Sequence, residues 1–206
     1  MVAPPVPPHP FGALDEIVSD GSPLYRIHSF RFRAAQFNPG IGSPTRFAFF
    51  GTPVIPTLYA GDTEDAAFCE TILHDVPLRG GIIYPAQYAG RQCSRLIVRR
   101  DLRLASLVGL GPRSLGVRAA DVCGTDAKHY GDTVRWAEAA HGAGFDGIAY
   151  PSKQASGRRA TVYFGDRVSE SDFEPDVSYR WYMDDTDGFS KMYDLCSRIQ
   201  VRVLRA

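Results

Sequence analysis

Hydrophobic and polar positions alternate along the chain mostly with the short period of β-strands. Short apolar runs bounded by turn residues predict strands at 24–27, 47–50, 57–60, 82–88, 96–99, 102–108, 145–150, 160–164 and 199–204. Helical spacing predicts helices at 64–73, 132–141 and 189–198, the first two preceded by capping Asp or Thr residues. Strands and helices in no regular alternation predict an α+β fold, with a compact mixed β-sheet core and a few helices.

Two segments depart from this pattern. Residues 1–12 are rich in proline and predict a polyproline-like, poorly ordered start to a lead that we place at 1–22. Residues 23–206 are expected to form a single domain. Within it, residues 34–57 are rich in Gly, Pro, Ser and Asn and predict a long loop, which in a small domain is more often functional than idle.

Composition narrows the class of protein. The 206 residues include 23 basic and 23 acidic ones, so no general excess of positive charge favours nucleic acid, and the 12% aromatic content excludes global disorder. The first 14 residues lack Lys and Arg, and the longest apolar stretch is too short to span a bilayer, which predicts a cytoplasmic protein without membrane contact. Four widely spaced cysteines are expected to be reduced core thiols.

The first helix carries an acidic residue on a largely apolar face. Ala66, Ala67, Glu70 and Leu73 share one face at helical spacing, so Glu70 is expected to point inward with small residues beside it. A buried carboxylate is unfavourable unless it is paired. The alternative is that Glu70 lies at the edge of the face, where it reaches solvent or pairs with an arginine.

Two arginines and a serine are further candidates. Arg26 lies in an apolar strand, and Arg46 lies between a Gly/Pro-rich loop and an aromatic run; a planar guanidinium suits a carboxylate or a phosphate. Strand alternation could instead point Arg26 at water. Ser152 follows the strand that ends at Pro151, where loops often hold ligand groups, although a serine after proline is also ordinary turn chemistry. Metal-ligand spacing, a nucleophile elbow and a phosphate-binding glycine loop are absent from the sequence.

The order of these pieces resembles the RES-domain family, whose members are toxins of bacterial toxin–antitoxin pairs. A Tyr-Arg-Ile strand comes first, then a Gly/Pro-rich loop with an arginine–aromatic pair, then Thr-Leu-Tyr-Ala and a helix with a central glutamate. Asp-Gly-Ile-x-Tyr-Pro-Ser follows late in the chain, ahead of Phe-Gly-Asp. The resemblance covers residues 24–168 and leaves 169–206 as a C-terminal extension.

The resemblance implies NAD⁺ degradation on a fold similar to that of the ADP-ribosyltransferases. NAD is then a substrate and inorganic phosphate a possible co-substrate, with no bound cofactor and no metal. By family position, Glu70 and Arg46 are catalytic, Arg26 and Arg46 bind the pyrophosphate or the attacking phosphate, Tyr59 stacks on nicotinamide, and Ser152 bonds the ribose or carboxamide. A small antitoxin protein is the implied partner, with no direct binding to nucleic acid.

Two other functions remain open from the sequence. A protein ADP-ribosyltransferase would use the same arginines and glutamate to modify a macromolecule. A catalytically silent binding module would keep only the fold. The second alternative draws on residues 45–48, which read Thr-Arg-Phe-Ala here, whereas the family often has Gly-Arg-Trp-Asn.

Overall fold

A twisted eight-stranded sheet organises the computed structural model, which describes residues 3–205. Residues 1, 2 and 206, at the outer ends of the expected lead and extension, lie outside the described part. The strands are β1 (Asp15–Val18), β2 (Pro23–Ser29), β3 (Thr57–Gly61), β4 (Ile82–Ile83), β5 (Arg91–Val98), β6 (Leu102–Ser106), β7 (Gly147–Pro151), β8 (Arg159–Phe164), β9 (Phe173–Tyr182) and β10 (Arg202–Val203). The large sheet has the order β1-β6-β7-β8-β3-β2-β5-β9, and β10 pairs with β4.

Six α-helices accompany the strands. They are α1 (Glu64–Thr71), α2 (Pro85–Tyr88), α3 (Gly111–Ser114), α4 (Ala119–Cys123), α5 (Tyr130–Gly142) and α6 (Thr186–Arg198). Neighbouring strands of the large sheet are antiparallel except for β6 and β7. This mixed sheet with surrounding helices confirms the predicted α+β fold class.

The core consists of three clusters around the sheet. The α5 side chain Trp136 packs with residues of β7 and β8 such as Ile148 and Val162. Leu104 and Tyr163 belong to a second cluster formed mainly by strand residues. The third cluster joins α1 and α6 to β2 and β5. The end of β7 therefore lies between the α5 cluster and α1, where the candidate site is built.

The proline-rich start of the chain packs against the domain, contrary to the expectation of poor order. Pro5 accepts a hydrogen bond of 2.8 Å from the indole Nε1 of Trp136. Phe11 packs edge-on against both Trp136 and Phe145. A strand that the sequence did not predict, β1, then pairs with β6. The packed ring of Phe11 and the hydrogen bond that the Trp136 indole donates to Pro5 thus fix a segment whose composition alone favours disorder.

Several segments differ from the sequence prediction. Helices α3 and α4 were not predicted, and the strand expected at 199–204 holds only β10. The strand expected at 47–50 is a loop, because residues 45 and 48 pair with each other in a tight turn. Residues 82–88 hold only the short β4, since Pro85 begins α2 after two strand residues. The long strand β9, at the edge of the sheet, was not predicted. Its charged residues and Pro175 interrupt the alternation of apolar and polar residues, which an exposed edge strand does not require.

The cysteines are free thiols as expected, although one of the four lies outside the core. All four cysteines are free thiols; three are buried, and Cys69 is partly exposed. None of the helices within residues 3–205 combines the length and apolar character needed to cross a membrane.

Candidate active site

Glu70 lies on α1, on the face that packs toward the sheet. Thr63 begins the helix by accepting a hydrogen bond of 3.2 Å from the amide of Ala66. Gly61 at the end of β3 permits close approach of the helix, since an added Cβ would lie 2.6 Å from the nitrogen of Ala67. The small buried residues leave room for the Glu70 side chain, which is 13% exposed. The carboxylate is therefore held at the protein interior rather than in bulk water.

Four donors surround the carboxylate of Glu70. Its Oε1 accepts hydrogen bonds from Ser152 Oγ at 2.8 Å and from the backbone nitrogen of Lys153 at 3.0 Å. Its Oε2 lies 3.5 Å from both Arg46 Nη1 and the hydroxyl of Tyr150. Contacts of 3.5 Å are at the outer limit of hydrogen bonding. One oxygen is thus firmly fixed by the protein, and the other is only weakly engaged. In the structure Glu70 points inward, as the first of the two sequence interpretations has it, and the arginine beside it is itself buried.

Arg46 supplies a buried positive charge beside this carboxylate. Its side chain is 3% exposed, and its Cζ lies 5.7 Å from the ring centroid of Tyr150. Burial opposes the charge, but the neighbouring Tyr150 and Glu70 raise the pKa of the guanidinium above its ordinary value. Among residues 3–205, Nε and Nη2 have no hydrogen-bond partner although both are buried. Buried donors are seldom left without acceptors, so these two nitrogens are an exception to the usual pairing of buried polar groups.

A strained turn fixes Arg46 in this position. Phe47 has a φ of +90°, which a bulky residue rarely adopts and which carries a strain of about 1–3 kcal/mol. Its fully buried ring packs edge-on against Tyr150, with 5.2 Å between ring centroids. The backbone groups of Thr45 and Ala48 bond each other at 2.9 and 3.1 Å. The buried Phe47 ring therefore anchors the turn and directs the adjacent guanidinium inward.

Arg26 borders the same cavity but is already engaged. Its Nη1 donates to the carbonyl oxygens of Ala34 and Gln36 at 2.6 and 2.7 Å. It is half-buried and bonded, so the alternative in which it simply points at water is wrong. Burial lowers the pKa of Arg26 to about 10, which leaves the group charged at neutral pH. Arg26 thus holds the start of the long loop in place and lends positive charge to the cavity.

Tyr59 and Ser152 occupy different positions relative to the cavity. The ring of Tyr59 lines it, and the hydroxyl lies 3.0 Å from Thr45 Oγ1. Burial raises the pKa of Tyr59 above its ordinary value, so the phenol is neutral. Ser152 is buried behind Glu70, and its hydroxyl donates to that carboxylate rather than lining the cavity.

Two lining residues were not singled out by the sequence analysis. Tyr150 precedes Ser152 by two positions at the end of β7, and residues two apart in a strand share a face. The two-residue period of a strand could therefore have identified Tyr150 from the sequence. His74 follows Glu70 by four residues, and its Nε2 lies 2.9 Å from the hydroxyl of Tyr130. Its Nδ1 lies 2.9 Å from Asp75 Oδ1. Helical spacing could have placed His74 near Glu70, but the chain turns after α1 ends at Thr71.

A cavity collects these groups. Its volume is about 70 Å³, which is smaller than the usual range for small-molecule sites, and it opens to solvent at its mouth. The residues lining it are Tyr25, Arg26, Ile27, Arg46, Tyr59, Ala60, Ala67, Glu70, Thr71, His74 and Tyr150. One carboxylate, two guanidiniums and three phenol rings thus border a partly apolar space. This combination can hold an anionic ligand and stabilise a positive charge that develops next to Glu70.

Within residues 3–205, no group of three or more His, Cys, Asp and Glu side chains is arranged to hold a metal ion. Of the acidic residues near position 185, Asp185 caps α6 by accepting a hydrogen bond of 2.7 Å from the amide of Gly188.

The chain is similar to a known protein family and to solved structures. The model of the RES domain matches residues 23–182. No curated protein matches the chain. A chain in the crystal structure of the M. tuberculosis MbcT–MbcA toxin–antitoxin complex is similar in fold, with a TM-score of 0.55 and 16% sequence identity. The similarity covers 81% of this chain and 86% of that chain.

Proposed function

The chain belongs to the RES-domain family, and on that premise we propose that it is an enzyme that cleaves the nicotinamide–ribose bond of NAD⁺. The acceptor is inorganic phosphate or water. The observation that carries this proposal is that Glu70 lies beside Arg46. Donors hold one carboxylate oxygen of Glu70, and two buried nitrogens of Arg46 have no acceptor among residues 3–205. The carboxylate of Glu70 suits a cation that develops on the substrate, and the guanidinium of Arg46 suits an anionic group.

The chemistry needs only one carboxylate. The bond between C1 of the ribose and the nicotinamide nitrogen breaks, and the nicotinamide leaves as a neutral molecule with the electron pair. Positive charge develops on the ribose, and the carboxylate of Glu70 stabilises it electrostatically. An oxygen of phosphate then bonds to C1 and gives a phosphorylated ADP-ribose. Attack by water gives ADP-ribose and releases a proton. No general acid is required, because the leaving group needs no protonation.

The other residues bind and orient the substrate. Arg46 donates Nε and Nη2 to phosphate oxygens of the dinucleotide or of the acceptor, which supplies the missing acceptors of those nitrogens. Arg26 adds positive charge at the cavity wall. Tyr59 stacks on the nicotinamide ring, a contact of about 1 kcal/mol. Ser152 acts through Glu70, because its hydroxyl is directed at the carboxylate.

A role as the toxin of a toxin–antitoxin pair follows from NAD⁺ consumption, which deprives a cell of an essential cofactor. The similar fold of a chain in the M. tuberculosis MbcT–MbcA toxin–antitoxin complex supports this role. A small antitoxin protein is then the partner. Expression of the wild-type chain should arrest growth, and expression of Glu70→Gln should not.

The decisive experiment incubates the purified protein with NAD⁺ in the presence and absence of inorganic phosphate. Products are separated by chromatography, and a second sample contains radiolabelled NAD⁺ with added protein extract. Phosphorylated ADP-ribose indicates a phosphorylase, and free ADP-ribose indicates a hydrolase. Label on protein indicates an ADP-ribosyltransferase instead. Unchanged NAD⁺ under every condition contradicts the enzymatic proposal and favours a silent binding module.

A further inference from the structure

Gln154 ties the loop that holds Glu70 to the helix that carries Glu70. It follows Ser152 by two residues in the connection from β7 to β8, and it is half-buried. Its side-chain Nε2 donates to the carbonyl oxygen of Leu73, and it also donates to that of Val76 at 3.3 Å. Both carbonyls belong to the turn that follows the end of α1. The loop and the helix thus meet at a second point besides the carboxylate.

The chemistry of this contact requires a donor. A carbonyl oxygen has two lone pairs, and that of Leu73 accepts from the amide of Val76 at 2.9 Å and from Gln154 as a second donor. A carboxamide nitrogen carries two hydrogens, which suits two carbonyl oxygens. A carboxylate at position 154 would place acceptors against acceptors and push the loop away from α1.

Little else anchors the loop to α1. The amide of Ala155 donates to Ser152 Oγ at 3.4 Å, and the amide of Ser152 donates to the carbonyl of Arg158 at 3.0 Å. These bonds shape the turn from within and do not reach the helix. The bonds that do reach it are those of Ser152 and Lys153 to Glu70, and the two from Gln154.

We infer that Gln154 is a positioning residue, an inference that rests on the proposed function. By holding the loop against α1, it keeps Ser152 Oγ and the Lys153 amide on Oε1 of Glu70. The weakly engaged Oε2 then keeps one orientation toward the reacting ribose. Gln154 itself lies outside the set of residues that line the cavity and borders a separate groove between α1 and α6. It therefore acts on the reaction through Glu70 and not through the substrate.

Three substitutions of Gln154 distinguish the effect of hydrogen-bond donation from the effects of side-chain size and charge. Gln154→Met keeps the length and removes the donor, Gln154→Glu keeps the shape and reverses the polarity, and Gln154→Lys restores a donor. The matched control is Gln87→Met. Gln87, in α2, also bonds the backbone, accepting a hydrogen bond of 2.9 Å from the amide of Tyr84, but it is not among the residues that line the cavity. The measurements are kcat and KM for NAD⁺ cleavage, with thermal unfolding of each variant.

We expect kcat to fall about tenfold in Gln154→Met and further in Gln154→Glu, because small misplacement of a reacting group is sufficient for such losses. Gln154→Lys should recover most of the loss, and KM for NAD⁺ should stay within about twofold, because substrate contacts are unchanged. Activity of Gln154→Met equal to that of Gln87→Met overturns the inference. So does a loss of kcat that only follows the unfolded fraction, or one that Gln154→Lys fails to reduce. A wild-type protein that leaves NAD⁺ intact refutes the proposed function itself, and the inference with it.

Discussion

The carboxylate of Glu70 accepts a hydrogen bond of 2.8 Å from the hydroxyl of Ser152, although 82 residues separate the two in the chain. The sheet brings them together: β3 leads into α1, β8 pairs with β3, and β7 pairs with β8. The end of β7 thus arrives beside α1. The orientation of the acidic group is set by the folded protein before any substrate binds, which is the kind of preorganisation that electrostatic catalysis uses.

Replacement of the carboxylate should abolish turnover without unfolding the protein. Glu70→Gln keeps the size and the acceptor for Ser152 but removes the charge that stabilises the ribose cation. We expect NAD⁺ cleavage to fall by about 10²–10³-fold, measured as product formed per enzyme. Glu138→Gln on the exposed side of α5 is the control and should retain full activity. Similar rates for Glu70→Gln and the wild type would exclude Glu70 from the reaction.

Arg46 should not be replaceable by lysine. Lysine keeps the positive charge but lacks the planar guanidinium, whose Nε and Nη2 have no acceptor among residues 3–205. We expect kcat/KM for NAD⁺ to fall by about tenfold or more in Arg46→Lys, the usual effect of losing one charge-assisted hydrogen bond. The control is Arg135→Lys at an exposed position of α5. Unchanged kcat/KM in Arg46→Lys would contradict anion binding by the guanidinium.

The parts of this molecule that followed from the sequence are those with regular periodicity. Helix α1 and the inward face of Glu70 were predictable, because alanines and the acid recur at helical spacing. The turn that buries Arg46 was not, because it depends on a positive φ at Phe47 and on the packing of that ring against Tyr150. Long-range packing of this kind leaves no periodic signal in the sequence, and the same holds for the position of Gln154.

The family resemblance named more of the site than the residue pattern alone did. Pattern reasoning left Arg26 between solvent and a ligand, and the structure bonds it to two carbonyls of the long loop. The resemblance assigned Ser152 to the substrate, whereas its hydroxyl is directed at Glu70. The identity of the residues was thus easier to predict than their contacts.

Stability should decrease in mild acid because of His28. Burial and the nearby charge of Arg26 lower the pKa of His28 to about 4, while the unfolded chain has an ordinary pKa near 6.5. As the pH falls from about 6.5 to 4, the unfolded state gains a proton that the folded state does not. The free energy of unfolding therefore decreases by up to about 3 kcal/mol between about pH 6.5 and pH 4, and His28 causes no loss above about pH 6.5.

The measurement is the free energy of urea unfolding at several pH values for the wild type and His28→Gln. His28→Gln should lack this part of the acid destabilisation, whereas a change at the exposed His9 should leave the pH dependence as it is. Parallel pH profiles for wild type and His28→Gln would contradict the prediction.

The N-terminal segment should contribute measurably to stability. Phe11 packs against Trp136 and Phe145, so Phe11→Ala is expected to lower the free energy of unfolding by about 2 kcal/mol or more, the effect of removing a partly buried aromatic ring. The control is Val6→Ala, since that side chain is 70% exposed. Chemical denaturation compares the three proteins. Equal stability of Phe11→Ala and Val6→Ala would mean that this segment folds apart from the domain.

The long separation between Glu70 and its partners has a consequence for the protein during its synthesis. The ribosome completes α1 long before it reaches Ser152 and Lys153, and Trp181, whose Nε1 donates to Glu64 Oε1 at 2.6 Å, follows later still. A nascent chain therefore carries the acidic residue without the groups that orient it. If the chain consumes NAD⁺ as proposed, that activity begins only after Ser152 and Lys153 have been synthesised and folded against α1, which gives a partner time to be ready.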